Sequence, residues 1–334
     1  MQQHKTEFRD GMRIDWDVPI PMDDGTVLRA DAFLPADDGR YPIVMTHGPY
    51  AKGLAFQDGY AGMWGALTTK HPDVLVNSSN QYQNWETVDP EKWVPDGYVC
   101  IRVDSRGAGR SPGYLDILSP QETQDYYECI EWAGTQPWSN GKVGLLGISY
   151  YAMNQWQVAA LQPPHLAAIC PWEGGNDYYR EFSRHGGILN IFTARWYPIQ
   201  VSSVQHGVGE RGARSRVTGE PVAGPDTVPE TQLSALRADS VAELLGHPTL
   251  STTTTTAIAP PTWKRSPPRC CRPPTGPTIC TPAATSRATC GCPRSRSGWR
   301  CTARSTSPSS TRTTVWHCRR SSSATSSRRR HRLG

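Results

Sequence analysis

Along residues 12–34, apolar and polar positions alternate on both sides of Asp23-Asp24-Gly25, which predicts a β-hairpin turning at those three residues. Further on, short continuous apolar runs replace the alternation. They cover 41–46 (ending at His47-Gly48-Pro49), 98–104 (closed by Ser105-Arg106-Gly107), 142–148 (after an Asn140-Gly141 turn) and 166–170. Runs of this length predict strands buried on both faces. Between them the period changes. Ser119-Pro120 opens a helix, with proline suited to its first turn, and Tyr126, Cys129, Ile130 and Ala133 recur at helical spacing. Residues 152–160 predict a second helix. Strands alternating with helices predict an α/β fold on a mostly parallel sheet. Over 177–245, Arg, Tyr, Phe and Trp alternate with Gly and His. This stretch reads as a helical insertion over the sheet, with 230–245 its clearest helix.

Composition divides the chain in two. Residues 1–251 carry 19 Lys and Arg against all 30 Asp and Glu, a net charge of −11. Residues 252–334 carry 16 basic residues and no acid, no Phe, Tyr or Met, and seven of the ten cysteines. The first part has the content of a folded protein. The second has too few large apolar side chains to offset its conformational entropy, so disorder is the expectation there. No stretch approaches 18 apolar residues, which excludes a transmembrane helix. The first 30 residues hold no apolar core of a signal peptide, so the expected location is the cytoplasm, and ten cysteines there do not imply a disulfide scaffold.

Gly147-Ile148-Ser149-Tyr150-Tyr151 falls at a predicted strand-to-helix junction. A nucleophile elbow needs this setting: a sharp turn lifts the serine hydroxyl above the sheet, and the helix N-terminus behind it favours developing negative charge. Tyr151 stands where the G-x-S-x-G pattern has its last glycine, and on the motif alone a helix-capping serine is an even alternative. The segment 104–113 (DSRGAGRSPG) lacks the Gly-Lys-Ser/Thr ending of a phosphate loop, and its G-x-G is too short for a dinucleotide fingerprint.

Four motifs occur in order: 104–113; Trp138-Ser-Asn-Gly-Lys-Val-Gly144; Gly147–Tyr151 with Gln155 and Trp156; and Ala168-Ile-Cys-Pro-Trp-Glu173. Together, over about residues 14–248, they resemble the CocE/NonD hydrolases, the cocaine esterase and X-Pro dipeptidyl-peptidase superfamily. The resemblance implies an α/β-hydrolase core over 1–176 with an inserted helical cap, here partial, over 177–248. It also implies a C-terminal jelly roll in full-length members, which is absent here. It implies Ser149 as nucleophile, Tyr150 as donor of an oxyanion N–H, Tyr50 as the tyrosine whose hydroxyl completes that hole, and Trp172 as a substrate-pocket aromatic. Ala152 replaces a glycine common at that position.

A serine nucleophile needs a histidine base oriented by an acid, in chain order Ser, Asp, His in this fold. In the family both follow the cap, which here means the acid-free stretch 252–334. Its histidines, His317 and His331, match no family motif. A shifted reading frame accounts for this. When each new codon takes the last base of one tail codon and the first two of the next, every codon ending in the ACN of Thr252–Thr256 becomes Asp, Asn, His or Tyr. Trp263-Lys264 then forces Glu, and 315–318 forces Ala-Leu. All of these fit the family pattern in one frame. We therefore expect the frame to shift between Pro248 and Thr252.

Asp177 and His185 are candidate triad substitutes, but their place in the insertion argues for a cap surface; His47, beside Tyr50, is expected to be structural. Cys290-Gly-Cys292 lacks the paired spacing of a zinc site. The expectation is a serine hydrolase of ester or acyl bonds, with peptide bonds also open, acting on a small-molecule substrate through an acyl-enzyme on Ser149. It needs no cofactor, metal, specific nucleic acid or membrane, and its triad is incomplete as the chain is written. The alternative is a non-catalytic binding protein whose basic tail holds nucleic acid or an anionic surface. Against it, Trp263, Trp299 and Trp316 are the only base-stacking aromatics of that tail.

Overall fold

The computed structural model describes residues 4–246, 299–305 and 314–320. The chain divides into two compact units, Met1–Thr281 and Pro282–Gly334.

In the first unit, seven strands form one sheet: β1 (Lys5–Arg9), β2 (Met12–Pro21), β3 (Val27–Pro35), β4 (Tyr41–Gly48), β5 (Val99–Asp104), β6 (Ser139–Ile148) and β7 (Leu166–Trp172). Their order is β1-β2-β3-β5-β4-β6-β7. β1, β2, β3 and β5 pair antiparallel, whereas β5, β4, β6 and β7 pair parallel. The predicted hairpin is β2–β3, and the four apolar runs are β4 to β7. β6 starts three residues earlier than expected. Its Asn140-Gly141 turn chemistry survives as a kink inside the strand: Gly141 has φ 80°, Ser139 Oγ accepts from Gly141 N at 3.0 Å, and the register against β4 slips there.

The connecting helices are α1 (Phe56–Gly59), α2 (Ala61–Lys70), α3 (Pro90–Trp93), α4 (Pro120–Gly134) and α5 (Tyr150–Ala160). Ser119 caps α4, accepting from Glu122 N at 3.1 Å, which satisfies one of the donors a helix start leaves open. The face of α4 read from the sequence, Tyr126, Cys129, Ile130 and Ala133, is buried. It packs on Ile43, Met45, Ile101 and Val103, while Val44, Cys100 and Phe33 face the opposite side of the sheet with Met12, Ile14, Trp16 and Tyr82. This is the two-residue period of strands covered on both faces. β7 is the edge strand on the parallel side of the sheet among the described residues, and Ala167, Ala168 and Trp172 on it are exposed.

Beyond β7 the chain forms short pieces rather than long helices, among them π-helical turns over Tyr178–Ser183 and Tyr197–Val201, the two-residue strands β8 (Arg184–His185) and β9 (Ile188–Leu189), α6 (Phe192–Trp196), α7 (Glu230–Ala235) and α8 (Ser240–Gly246). The single helix expected over 230–245 is two. The break between them is where Leu115 N donates to Leu236 O and Ala238 N donates to Leu115 O, an inter-segment pairing that competes with helix continuation.

In the second unit, β10 (Trp299–Ser305) and β11 (Thr314–Arg320) pair antiparallel. The remainder of 247–334, where disorder and the frame shift were expected, lies outside the described residues.

Candidate active site

Ser149 sits between the last residue of β6 and the first of α5, at φ 57° and ψ −114°. Positive φ in a residue with a Cβ costs about 1–3 kcal/mol and persists only where surrounding contacts impose it. Those contacts are present. Ser149 N donates to Trp172 O at 2.9 Å, and Ile148 N donates to Glu86 O at 3.3 Å. Ala152 N and Met153 N close the first turn of α5 on Ser149 O at 3.0 and 2.9 Å. A Cβ on Gly147 would fall inside 3.0 Å of Tyr151 Cβ, so the absent side chain lets the strand meet the helix. The residue in the place of the motif's second glycine, Tyr151, is buried, and Gly48 at the end of β4 makes room for its ring.

Tyr150 is the first residue of α5, so its N–H has no acceptor within the helix. Its side chain is anchored from below: the hydroxyl donates to Glu122 Oε2 at 2.6 Å and accepts from Leu118 N at 3.0 Å. The Ser119…Glu122 spacing has the form of a capping box, yet Glu122 serves Leu118 N (2.7 Å) and Tyr150. Burial pushes the Glu122 carboxyl up to about 7.

Tyr50 follows β4 and is fully buried. Its ring meets Tyr151 edge-on at 5.3 Å, Tyr150 at 5.8 Å and Trp196 at 6.2 Å. Trp196 Nε1 donates to the Tyr50 hydroxyl oxygen at 3.1 Å, so that contact leaves the hydroxyl proton free to be donated elsewhere. Burial, reinforced by Glu86, holds the Tyr50 pKa well above 10, which keeps that proton in place. The loop carrying Tyr50 is tied to the end of β5: Lys52 N donates to Asp104 Oδ1 at 2.5 Å, and Arg110 N donates to Asp104 Oδ2 at 2.8 Å. Burial opposes the Lys52 charge, but Asp31, Asp104 and Asp17 outweigh it and raise its pKa. Arg106 grips Asp125 on α4 with two bonds, Nε at 2.8 Å and Nη2 at 2.7 Å, and Asp24 of the hairpin turn at 2.7 Å. The glycine-rich 104–113 segment is thus a structural lacing beneath the elbow.

Trp172 is brought to the elbow through its main chain, while its ring stays exposed and donates from Nε1 to Cys170 Sγ at 2.9 Å. His47 is fully buried and stacked on Tyr126 at 4.8 Å, with both ring nitrogens unpartnered, and burial lowers its pKa to about 4. Asp177 accepts from Arg180 N at 2.8 Å, and His185 faces Glu181 O. Among the described residues, no histidine or aspartate side chain is hydrogen-bonded to Ser149.

Sequence reasoning missed Glu86, Trp196 and Glu122. Glu86 stands at φ 59° beside the elbow, and burial with the Glu173 charge pushes its carboxyl up to about 8. Nothing in the local pattern around Glu86 marks it. Glu122 carried a signal, its place three residues after Ser119.

A profile of the X-Pro dipeptidyl-peptidase (S15) family matches residues 24–268. The cocaine esterase of Rhodococcus sp. is 30% identical over 175 residues, 52% of this chain and 26% of that protein. A Mycobacterium bovis protein provisionally named a serine esterase is 26% identical over 236 residues, 68% of this chain and 35% of that protein. The crystal structure of a CocE/NonD family hydrolase from Staphylococcus aureus superposes with a TM-score of 0.55 at 31% identity, covering 74% of this chain and 40% of that one. The chain therefore spans about a quarter to two fifths of the length of these relatives. The strand order and the serine at its strained turn are those of an α/β-hydrolase core, and with the family profile matched over most of its length, the chain belongs to the X-Pro dipeptidyl-peptidase (S15) family.

Proposed function

We propose that this chain is the nucleophile-bearing part of a serine hydrolase that cleaves small ester or acyl substrates through an acyl-enzyme on Ser149. The observation that carries the reading is the Ser149 backbone at φ 57°, ψ −114°, pinned by Trp172 O while α5 begins at the next residue. In this reading the Ser149 hydroxyl oxygen attacks the carbonyl carbon. The oxyanion that forms takes a hydrogen bond from the Tyr150 N–H, which has no intrahelical acceptor, and one from the Tyr50 hydroxyl, whose proton Trp196 leaves free. The N-terminal end of α5 adds its positive potential. The exposed Trp172 ring and Ile148 offer apolar surface for the acyl or alcohol part. Relatives named esterases favour ester bonds over peptide bonds.

Attack also requires a base for the Ser149 proton, and the acid and histidine of the triad belong to the stretch after the cap. The 334-residue chain is accordingly proposed to turn over negligibly, and a chain with the frame restored after Pro248 to turn over in a Ser149-dependent way. A chromogenic short-acyl ester assayed with both chains, each with Ser149→Ala, tests this. Unchanged turnover in the serine variant refutes the nucleophile. Full activity of the 334-residue chain refutes the incomplete triad. Resequencing codons 240–260 tests the shift itself.

A further inference from the structure

On the sheet face opposite α4, Arg102 of β5 lies among apolar side chains with only 5% of its surface exposed. Its guanidinium carbon sits 5.3 Å from the centre of the Phe33 ring, and Nη2 donates to Val88 O at 2.7 Å. Nε is buried and has no hydrogen-bond partner, and among the described residues no carboxylate forms a salt bridge with it. A guanidinium does not lose its proton to escape this situation, so a buried one with donors unmet is costly unless an acceptor reaches it. Arg102 lines a small cleft, with about 20 Å³ open to the centre of a water-sized group, between the β2–β3 face, residues 81–84 and residues 215–217. Lys52 and Arg216 also line it, and no Asp or Glu does. Lys52 is neutralised by Asp31 at 2.8 Å and Asp17 at 3.3 Å, and Arg216 pairs with Asp58 at the surface. Asp89 and Asp31 act on Arg102 only at longer range, and among the described residues it is the cation of this lining with no carboxylate bonded to it. Tyr82 and Asn84 add polar edges; the space admits a ligand of only a few heavy atoms.

We infer that this cleft is a binding site for a small monocarboxylate, separate from Ser149, one of whose oxygens takes the open Nε donor of Arg102. A planar carboxylate matches the fork of a guanidinium, which gives it an advantage over a spherical halide. Asn84 donates to Lys52 O at 2.9 Å, so the cleft wall also holds the loop that carries Tyr50.

The test is thermal unfolding of the full 334-residue chain in sodium acetate, with sodium gluconate, too large for the cleft, keeping ionic strength constant. The melting temperature is expected to rise with acetate by about 3–5 °C per tenfold increase above the dissociation constant. Arg102→Met is expected to abolish the slope, whatever its own melting temperature. Arg216→Gln, at the exposed mouth, should fold normally and move the onset to about threefold higher acetate. Ser149→Ala should respond as the parent does, which separates this site from acetate caught at the elbow. Saturation-transfer NMR of acetate on the parent chain gives a reading independent of stability, with signal expected. No difference between acetate and gluconate, an equal response to chloride, or a response lost with Ser149→Ala overturns the inference.

Discussion

The junction of β6 and α5 can be tested with two glycines of the same strand. A Cβ on Gly144 meets nothing closer than Ile43 O at 3.6 Å and Ala168 O at 3.9 Å, ordinary contact distances. A Cβ on Gly147 falls inside 3.0 Å of Tyr151 Cβ, with Tyr151 O at 3.1 Å and Tyr151 C at 3.3 Å. These are backbone atoms and the first side-chain atom, so no rotamer change relieves the clash. The first turn of α5 has to move by about 1 Å, against the hydrogen bonds from Ser149 N to Trp172 O and from Ile148 N to Glu86 O. Gly→Ala restricts the unfolded chain equally at both sites, a stabilising effect of about 0.4–1 kcal/mol. Their difference therefore reports the folded state. Overpacking of this kind costs about 1–3 kcal/mol, so Gly147→Ala should be about 2–3 kcal/mol less stable than Gly144→Ala. For a domain of this size the gap in melting temperature is about 5–10 °C. Urea unfolding followed by tryptophan fluorescence, with matched slopes, measures it. If the two variants agree to within about 0.5 kcal/mol, the junction is not packed as described.

Three further outcomes follow from the site. Tyr50→Phe removes the acceptor of Trp196 Nε1 and should cost about 1 kcal/mol in urea unfolding; in a frame-restored enzyme it should lower kcat by about 10²–10³ with little change in KM. Asp125→Ala strips both acceptors from the inner side of Arg106 and should cost about 3–5 kcal/mol, whereas Asp24→Ala, at the exposed end of the same arginine, should cost less than about 1 kcal/mol. The Glu122 carboxyl lies above its ordinary 4.5, at about 7, so the folded state holds a proton that the unfolded state releases first. Its contribution is most favourable below pH 4.5 and is lost as pH rises to 7, by about 3 kcal/mol at about 1.4 kcal/mol per pH unit. Glu122→Gln should flatten this stretch of the stability curve, and an unchanged slope would show that another group carries it.

Local order was legible because its causes are local. The Asp23-Asp24-Gly25 turn, the Ser119 cap and the apolar runs of β4 to β7 act within a few residues, and each placed its element to within about three positions. The turn at Ser149 was legible for the same reason: the end of a strand and the start of a helix follow each other directly there. The one long helix read over 230–245 failed where a distant strand-like partner, Leu115, took up the backbone groups of Leu236 and Ala238. What surrounds Ser149 was decided only by the tertiary structure. Trp196 reaches Tyr50 across 146 positions, Glu122 reaches Tyr150 across 28, and Glu86 O and Trp172 O arrive from two separate segments to hold the elbow. Arg102 looks like one more residue of an apolar strand until the sheet closes over it and leaves its guanidinium buried over the Phe33 ring. Periodicity reports which face a residue takes, because that depends on its near neighbours. It carries no information about which distant group will meet it there, and in this chain those meetings set the charge, the hydrogen bonding and the strain around Ser149.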